Sequence, residues 1–252
     1  MTDRITVLPV EGIPEISQGD DLAALVAEAA LQQGTPVASG DLVVVAQKAV
    51  SKSEGAIVDL ASVVPSEAAH ELAAETGKPP ELAEVILSQT RRIVRNSRGV
   101  LIVETIHGLV CANAGVDQSN SGGEGIAITL PPAPDASARR IRRGLEAVAG
   151  GHVSVIVSDT FNRPWRLGSL NVAVGLSGFQ PLLDEREQPD DSGRLLRATA
   201  VSIADELASA AQLVMGERGR RPAAIVRGAR LTESEEASAS WLLRDPGSDL
   251  FR

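Results

Sequence analysis

A chain of 252 residues with 43% hydrophobic and only 2% aromatic content has room for one large domain or two small ones, built around an aliphatic core. Its net charge of −9 argues against general binding to nucleic acid or a membrane surface, and a single cysteine, Cys111, rules out internal disulfides. No apolar run approaches a membrane span and the amino terminus reads as no secretory signal, so a soluble cytoplasmic protein is expected.

Residues 5–10 read as a first strand, followed by the Gly- and Pro-rich loop EGIPEISQGD. Asp20 or Asp21 caps a helix through Gln33, with Leu22, Leu25, Val26 and Ala29 on one face and Gly34 ending it. Leu42–Ala46 is a strongly apolar strand, and 56–60 a second. Helices follow at 66–76 and 80–89, with Ser66 as N-cap, Gly77 as stop and Pro80 in the first turn. Strand signals recur at 92–95, 100–104, 109–113 and 126–130, and Asp135 or Ser137 opens a helix to about Ala149. The stretch HVSVIVSDTFNRPWRLG, 152–168, reads as a buried strand ending on Asp159 and Thr160. An apolar segment at 171–176 ends at Gly178, and 182–193 is polar and turn-rich. A helix at 199–215, a strand at 223–226 and a closing helix at 233–243 complete the chain. Many strands joined by short Gly turns predict a mixed α+β fold with largely antiparallel sheets and flanking helices, rather than a doubly wound sheet.

The chain carries neither a P-loop nor a dinucleotide-binding glycine fingerprint, and His70, His107 and His152 lack metal-ligand spacing. Four polar clusters at element ends can carry chemistry instead. AQKAVSKSEG, 46–55, places Lys48 and Lys52 four apart with Ser51 between them and Ser53 just after: either a phosphate-holding loop or a solvated lysine pair. CANAGVDQSN, 111–120, offers Asp117 and Asn120 beside small residues, as a ligand contact or an Asx-rich turn. Asp159 and Thr160 form an oxygen pair suited to Mg²⁺ or Mn²⁺, or else a strand-end cap, with Arg163, Trp165 and Arg166 crowding the same loop. LVMGERGRRP, 213–222, is either a helix C-cap or a source of a third carboxylate, Glu217, in a basic loop. Together the three carboxylates, two lysines and several arginines point to metal-dependent phosphate chemistry. Cys111 reads as an inert buried thiol and His107 as a turn histidine. Trp165 is a packing anchor, a stacking platform, or both.

The motifs VVVAQKAVSKSEG, ETIHGLVCANAGVDQSN, LPPAPDASARRIR, SDTFNRPWRLGSLNVAVGLSG and ADELASAAQLVMGERGRRPAAIVRG, in this order and preceded by LPVEGIPEISQGDDL, resemble the coenzyme F420-0:L-glutamate ligases. The resemblance spans about residues 5–230, and the last stretch of the chain is the least diagnostic. It implies a single ligase domain over 1–252, with two subdomains allowed, folded as an α+β protein in an intertwined homodimer. It further implies GTP-dependent addition of L-glutamate, one or more, to F420-0 through an acyl phosphate, later glutamates being γ-linked.

Carried over motif by motif, Asp117 and Asp159 would hold one divalent metal, Mg²⁺ or Mn²⁺, and Thr160 with Glu217 a second; K⁺ is a further expectation of the family. Ile13, Pro14, Glu15 and Ile16, with Gln47, Lys48, Lys52 and Asn120, would contact GTP, as would the loop of Met215, Gly216, Arg218 and Gly219. Arg163 and Arg166 look suited to contact substrate or phosphate. Asn162 stands where the family usually has Gly, at a place where Asn tolerates a left-handed conformation. No nitroreductase-like domain is expected after the ligase domain. The alternatives are a metal-dependent phosphotransferase or hydrolase acting on another carboxylate, and a non-catalytic deazaflavin- or nucleotide-binding protein.

Overall fold

The two apolar runs at 42–46 and 153–157 have no polar face to offer water, so both belong in the interior of a sheet covered on both sides. A computed structural model, describing residues 4–119, 123–197 and 200–249, places them side by side. The chain runs β1 (Thr6–Val10), α1 (Leu22–Gln32), β2 (Leu42–Ala46), α2 (Gln47–Glu54), β3 (Ile57–Asp59), α3 (Glu67–Thr76), α4 (Pro80–Ser88), β4 (Thr90–Ser97), β5 (Val100–Thr105) and β6 (Val110–Ala112). It continues through β7 (Ile126–Ile128), α5 (Pro134–Ala149), β8 (Ser154–Arg163), β9 (Arg166–Phe179), β10 (Leu182–Asp184), β11 (Ala200–Ser202), α6 (Ile203–Met215), β12 (Ala223–Arg227) and β13 (Glu233–Ser234).

The main sheet has the order β1-β12-β2-β8-β9-β13. Only β2 and β8 pair in parallel, and every other neighbouring pair in that sheet is antiparallel. Alternation along the strands divides the core. Val43, Val45, Val155 and Val157 pack with Val26, Ala30, Ile141 and Leu145 on the α1/α5 side. Leu42, Val44 and Ile156 pack with Phe179, Ala204, Ala208 and Ala211 on the α6 side. A third apolar cluster, with Leu72, Ile86, Leu101 and Val103, joins α3 and α4 to the small β4-β5-β6 sheet. The mixed α+β architecture with antiparallel pairing is therefore the one expected. Among the described residues, no helix is long and apolar enough to cross a membrane.

Helix ends follow the sequence signals. The Asp21 carboxylate accepts from the Ala23 and Ala24 N–H groups, and the Ser66 hydroxyl caps α3 through Ala69 N–H. Three expectations are corrected. The segment 46–55 is not a loop but mostly helix α2, because Ala49 and Val50 bury one face and Gly55 closes it in the left-handed conformation. The helix expected from 199 begins only at Ile203, and Ala200–Ser202 pairs with β10 instead. No closing helix forms at 233–243. Strand β13 and a short 3₁₀ turn, Ala239–Leu242, take its place, because the Asp135 carboxylate captures Ser238 Oγ (2.7 Å) and Ala239 N–H (3.1 Å).

The strand expected to end on Asp159 and Thr160 also runs further. It continues to Arg163, turns through Pro164 and Trp165, and returns as β9. Pro164 followed by Trp165 at φ 58° is the conformational pattern of a type II turn, in which the second position favours Gly. Asn162 lies in the extended strand opposite Ser169, so the left-handed positions of this hairpin fall on Trp165 and Gly168 rather than on Asn162.

Candidate functional site

The carboxyl ends of the two parallel strands lead to the same place, as expected where ligands bind an open sheet. Strand β2 runs directly into α2, whose N-cap, Ala46, has no side chain to satisfy the first-turn N–H groups. Beyond its pairing with β2, β8 shifts register at Val157/Ser158 and then delivers Asp159 and Thr160. Between these ends lies a cleft of about 860 Å³. It is lined by Ile13, Pro14, Glu15 and Ile16, by Gln47, Lys48 and Lys52, by Asp159 and Thr160, and by the loop from Met215 through Gly216, Glu217, Arg218 and Gly219. Gly216, at φ 62° and ψ 173°, occupies a backbone region open essentially to glycine alone, and this bends the chain from α6 back over the cleft.

Each lysine of α2 meets a carboxylate. Lys48 Nζ lies 2.6 Å from Asp117 Oδ2 and donates to Ser119 Oγ at 2.7 Å. Lys52 Nζ lies 2.5 Å from Glu15 Oε1. Burial acts to raise the Asp117 carboxyl, but hydrogen bonds from Lys48 and Ser119 outweigh it and hold the group below its ordinary range. The Lys52 hydrogen bond likewise holds Glu15 low. Asp159 behaves oppositely. Burial pushes it up to about 6, and the Asp117 and Glu217 charges push the same way against the nearby Lys48. Cys111 is half-buried, and burial with the Asp159 charge pushes its thiol up to about 12, so it is not a nucleophile.

Gln47 is fully buried and spends its amide on Ser51 Oγ (2.6 Å) and the Thr129 carbonyl (2.9 Å), so it anchors α2 as well as lining the cleft. Asp117 stands beside the lining residues and joins them through Lys48. Asn120 lies outside the described residues. Arg163 and Arg166 are not brought to the cleft. Arg163 donates to the Gly168 and Leu167 carbonyls at 3.3 and 2.9 Å, bracing its own hairpin, and Arg166 is exposed at the start of β9. His107 sits in a turn against the Pro132 carbonyl.

Sequence reasoning missed Asn171 and Gln212, which line the cleft with Arg220 and Arg221. Asn171 pairs with Thr160 across the hairpin and accepts its hydroxyl at Oδ1, 2.8 Å away. Gln212, on the last turn of α6, donates to Glu217 Oε1 at 3.1 Å. The two-residue turn at Pro164-Trp165 would by itself set Thr160 opposite Ser169; a register shift at Asn162/Arg163 brings Asn171 there instead, so no local signal in the sequence marks it.

Among the described residues, no group of three or more His, Cys, Asp or Glu side chains converges on one point. The cleft instead offers oxygens in pairs: Asp117 and Asp159 around Lys48, and Thr160 with Glu217 at 3.4 Å. Such hard donors suit divalent cations that complete their shells with phosphate oxygens and water. Two lysines and an open helix N-terminus on the same wall suit a polyphosphate.

A family model described as F420-0:Gamma-glutamyl ligase matches residues 12–228. A protein of Methanothermobacter thermautotrophicus named coenzyme F420:L-glutamate ligase is 42% identical over 250 residues, covering 98% of this chain and 99% of its own. Proteins of the same name from Methanopyrus kandleri and Haloarcula marismortui are 44% and 40% identical over 256 and 253 residues, covering 98% and 95% of their own lengths and 100% and 98% of this chain.

Proposed function

Because the chain belongs to the F420-0:gamma-glutamyl ligase family, whose members form amide bonds, we propose that it joins the amino group of L-glutamate to a carboxyl group of coenzyme F420-0 at the expense of GTP. The observation that carries this reading is the meeting of two lysines, four carboxylates and a hydroxyl at the carboxyl ends of β2 and β8. A carboxylate is a poor electrophile, so an amide ligase must first activate it. Transfer of the γ-phosphoryl group of GTP to the F420-0 carboxylate gives an acyl phosphate and GDP. The glutamate nitrogen then attacks the acyl carbon, phosphate leaves, and the amine gives up a proton.

Both substrates are anionic, and bringing them together needs cations. Lys48 and Lys52, with the first-turn N–H groups of α2, would hold the phosphates, each lysine exchanging its carboxylate partner for a phosphate oxygen. The loop 13–16 and the Gly216–Gly219 turn would enclose the nucleoside. Asp117 and Asp159 would hold one divalent cation, and Thr160 and Glu217 the other. Asp159 fits this role because burial, reinforced by the Asp117 and Glu217 charges, disfavours its bare carboxylate, and positive charge beside it relieves both. When bound, these cations would neutralise charge developing on the transferred phosphoryl group. The homodimer is proposed on the same footing. Trp165 and Leu167 are 81% and 98% exposed at the hairpin tip, an apolar pair for a second copy to cover.

Incubation with F420-0, L-glutamate, GTP and Mn²⁺ should yield a product heavier by one or more glutamyl residues, and Asp159→Ala should abolish it. No adduct from the unaltered protein would overturn the ligase reading. With F420-0 carrying ¹⁸O in its carboxyl group, the label should appear in released phosphate; unlabelled phosphate would exclude the acyl phosphate.

A further inference from the structure

The oxygens of Thr160 and Glu217 face each other at 3.4 Å, and what lies behind them decides how they are used. A threonine hydroxyl has one proton to give and two lone pairs to offer. The Thr160 hydroxyl has two acceptors in reach, Asn171 Oδ1 at 2.8 Å and Glu217 Oε1 at 3.4 Å, and gives its one proton to the nearer, which leaves its lone pairs for a cation on the Glu217 side. Glu217 is in turn fixed by Gln212 Nε2, which donates to Oε1 at 3.1 Å. The Gln212 amide has no freedom to flip. Its Oε1 accepts from the Asn171 backbone N–H at 2.9 Å, and a backbone N–H can only donate, so Nε2 must face Glu217. Asn171 is buried, and its carbonyl is also engaged, by Ser209 Oγ at 2.8 Å.

One residue of β9 therefore sets both oxygens: Thr160 through its side chain, and Glu217 through its backbone and Gln212. We propose that Asn171 and Gln212 are positioning residues for the second divalent cation, holding Thr160 and Glu217 with their lone pairs converging where that cation binds. The assignment rests on the proposal that Thr160 and Glu217 hold this cation. A pair of electron-rich oxygens held face to face, each with its outer partner fixed, costs free energy until a positive charge enters between them. Neither Asn171 nor Gln212 touches the ion. They act by denying Thr160 and Glu217 other orientations.

The test counts bound Mn²⁺ by the paramagnetic resonance signal of the free ion, with a non-hydrolysable GTP analogue present. The unaltered protein should bind two ions, and Thr160→Val one. Gln212→Leu should keep the first ion at unchanged affinity and weaken the second about 10- to 100-fold, the usual effect of losing an outer partner of a metal ligand. Asn171→Leu should do the same, while Asn171→Asp, which still accepts the Thr160 proton, should retain two ions. Weakening of both ions together in Gln212→Leu and Asn171→Leu, or two ions at unaltered affinity in both, would overturn the positioning role while leaving the two-cation reading intact. Fewer than two ions on the unaltered protein would remove that reading and this assignment with it.

Discussion

Lys48 Nζ sits 2.6 Å from Asp117 Oδ2, so an ammonium already occupies one side of a carboxylate assigned here to a divalent cation. The pair ties the first turn of α2 to the segment between β6 and β7. A cation arriving at Asp117 must compete with Lys48, and a phosphate arriving at Lys48 must compete with Asp117. Metal and nucleotide each release the other's partner, which makes their binding mutually favourable. Lys48→Met should therefore bind Mn²⁺ more tightly than the unaltered protein when no nucleotide is present, by about tenfold (~1.4 kcal/mol). It should also bind GTP more weakly. Titration of Mn²⁺ with and without GTP checks both, and equal Mn²⁺ affinity in the two proteins would refute the competition.

Asp159 gives the protein a pH-dependent weakness. Its carboxyl is pushed up to about 6 by burial, reinforced by the Asp117 and Glu217 charges. A group raised on folding favours the folded state below its unfolded pKa, near 4, and that contribution disappears as pH rises through about 6. At pH 7.5 without metal, the buried carboxylate costs roughly 3 kcal/mol. Asp159→Asn, inactive as a ligase, should therefore be more stable than the unaltered protein at pH 7.5, with the gain shrinking to nothing near pH 4. Urea unfolding at the two pH values, in the presence of a chelator, measures it.

Asp135 fastens three separate parts of the chain. It accepts Leu176 N–H at 2.8 Å, Ala239 N–H at 3.1 Å and Ser238 Oγ at 2.7 Å, from its place in the first turn of α5. Asp135→Ala removes the acceptor for all three and should cost about 2–4 kcal/mol. Asp135→Asn, which still accepts, should cost less. Denaturation midpoints rank the two, and equal losses would show that charge rather than hydrogen bonding is what matters there.

Leu167 is 98% exposed, so replacing it should leave the folding of one copy nearly untouched. In the proposed homodimer the same residue is covered. Leu167→Asp should then sediment as a monomer with an unchanged unfolding midpoint at high dilution, where the unaltered protein sediments as a dimer above its dissociation constant. Dimeric Leu167→Asp would move the interface elsewhere on the molecule.

The parts of the fold legible in the sequence were those with one dominant local cause. Continuous apolar runs marked β2 and the first half of β8, and Asp21, Ser66, Pro80 and Gly77 marked helix ends at or beside the observed caps. Helix α2 escaped because Lys and Ser suit a solvated turn as well as a helix, and only the burial of Ala49 and Val50 decides between them. The composition of 233–243 favoured a helix, but Asp135, about a hundred positions away in the chain, claims its backbone donors. The site divides in the same way. Asp159, Thr160 and Glu217 announce themselves as polar groups at element ends. Asn171 and Gln212 acquire meaning only through the β8–β9 register and the packing of α6, which no local window contains. Arg163 and Arg166 illustrate the converse, since nearness in sequence to Asp159 did not bring them to the cleft.

The single parallel pairing in the main sheet has a kinetic meaning. Leu42 aligns with Ser154, so the two strand ends that frame the cleft lie more than a hundred residues apart along the chain. Closing a loop of that length is slow compared with forming the local hairpins and helices. During synthesis, β2 and α2 must wait for α5 and β8 to emerge before Asp159 and Thr160 can complete the cleft. Competence to bind nucleotide should consequently appear in the last phase of refolding, together with burial of Val43 and Val155, and no half-formed chain should be able to hold GTP.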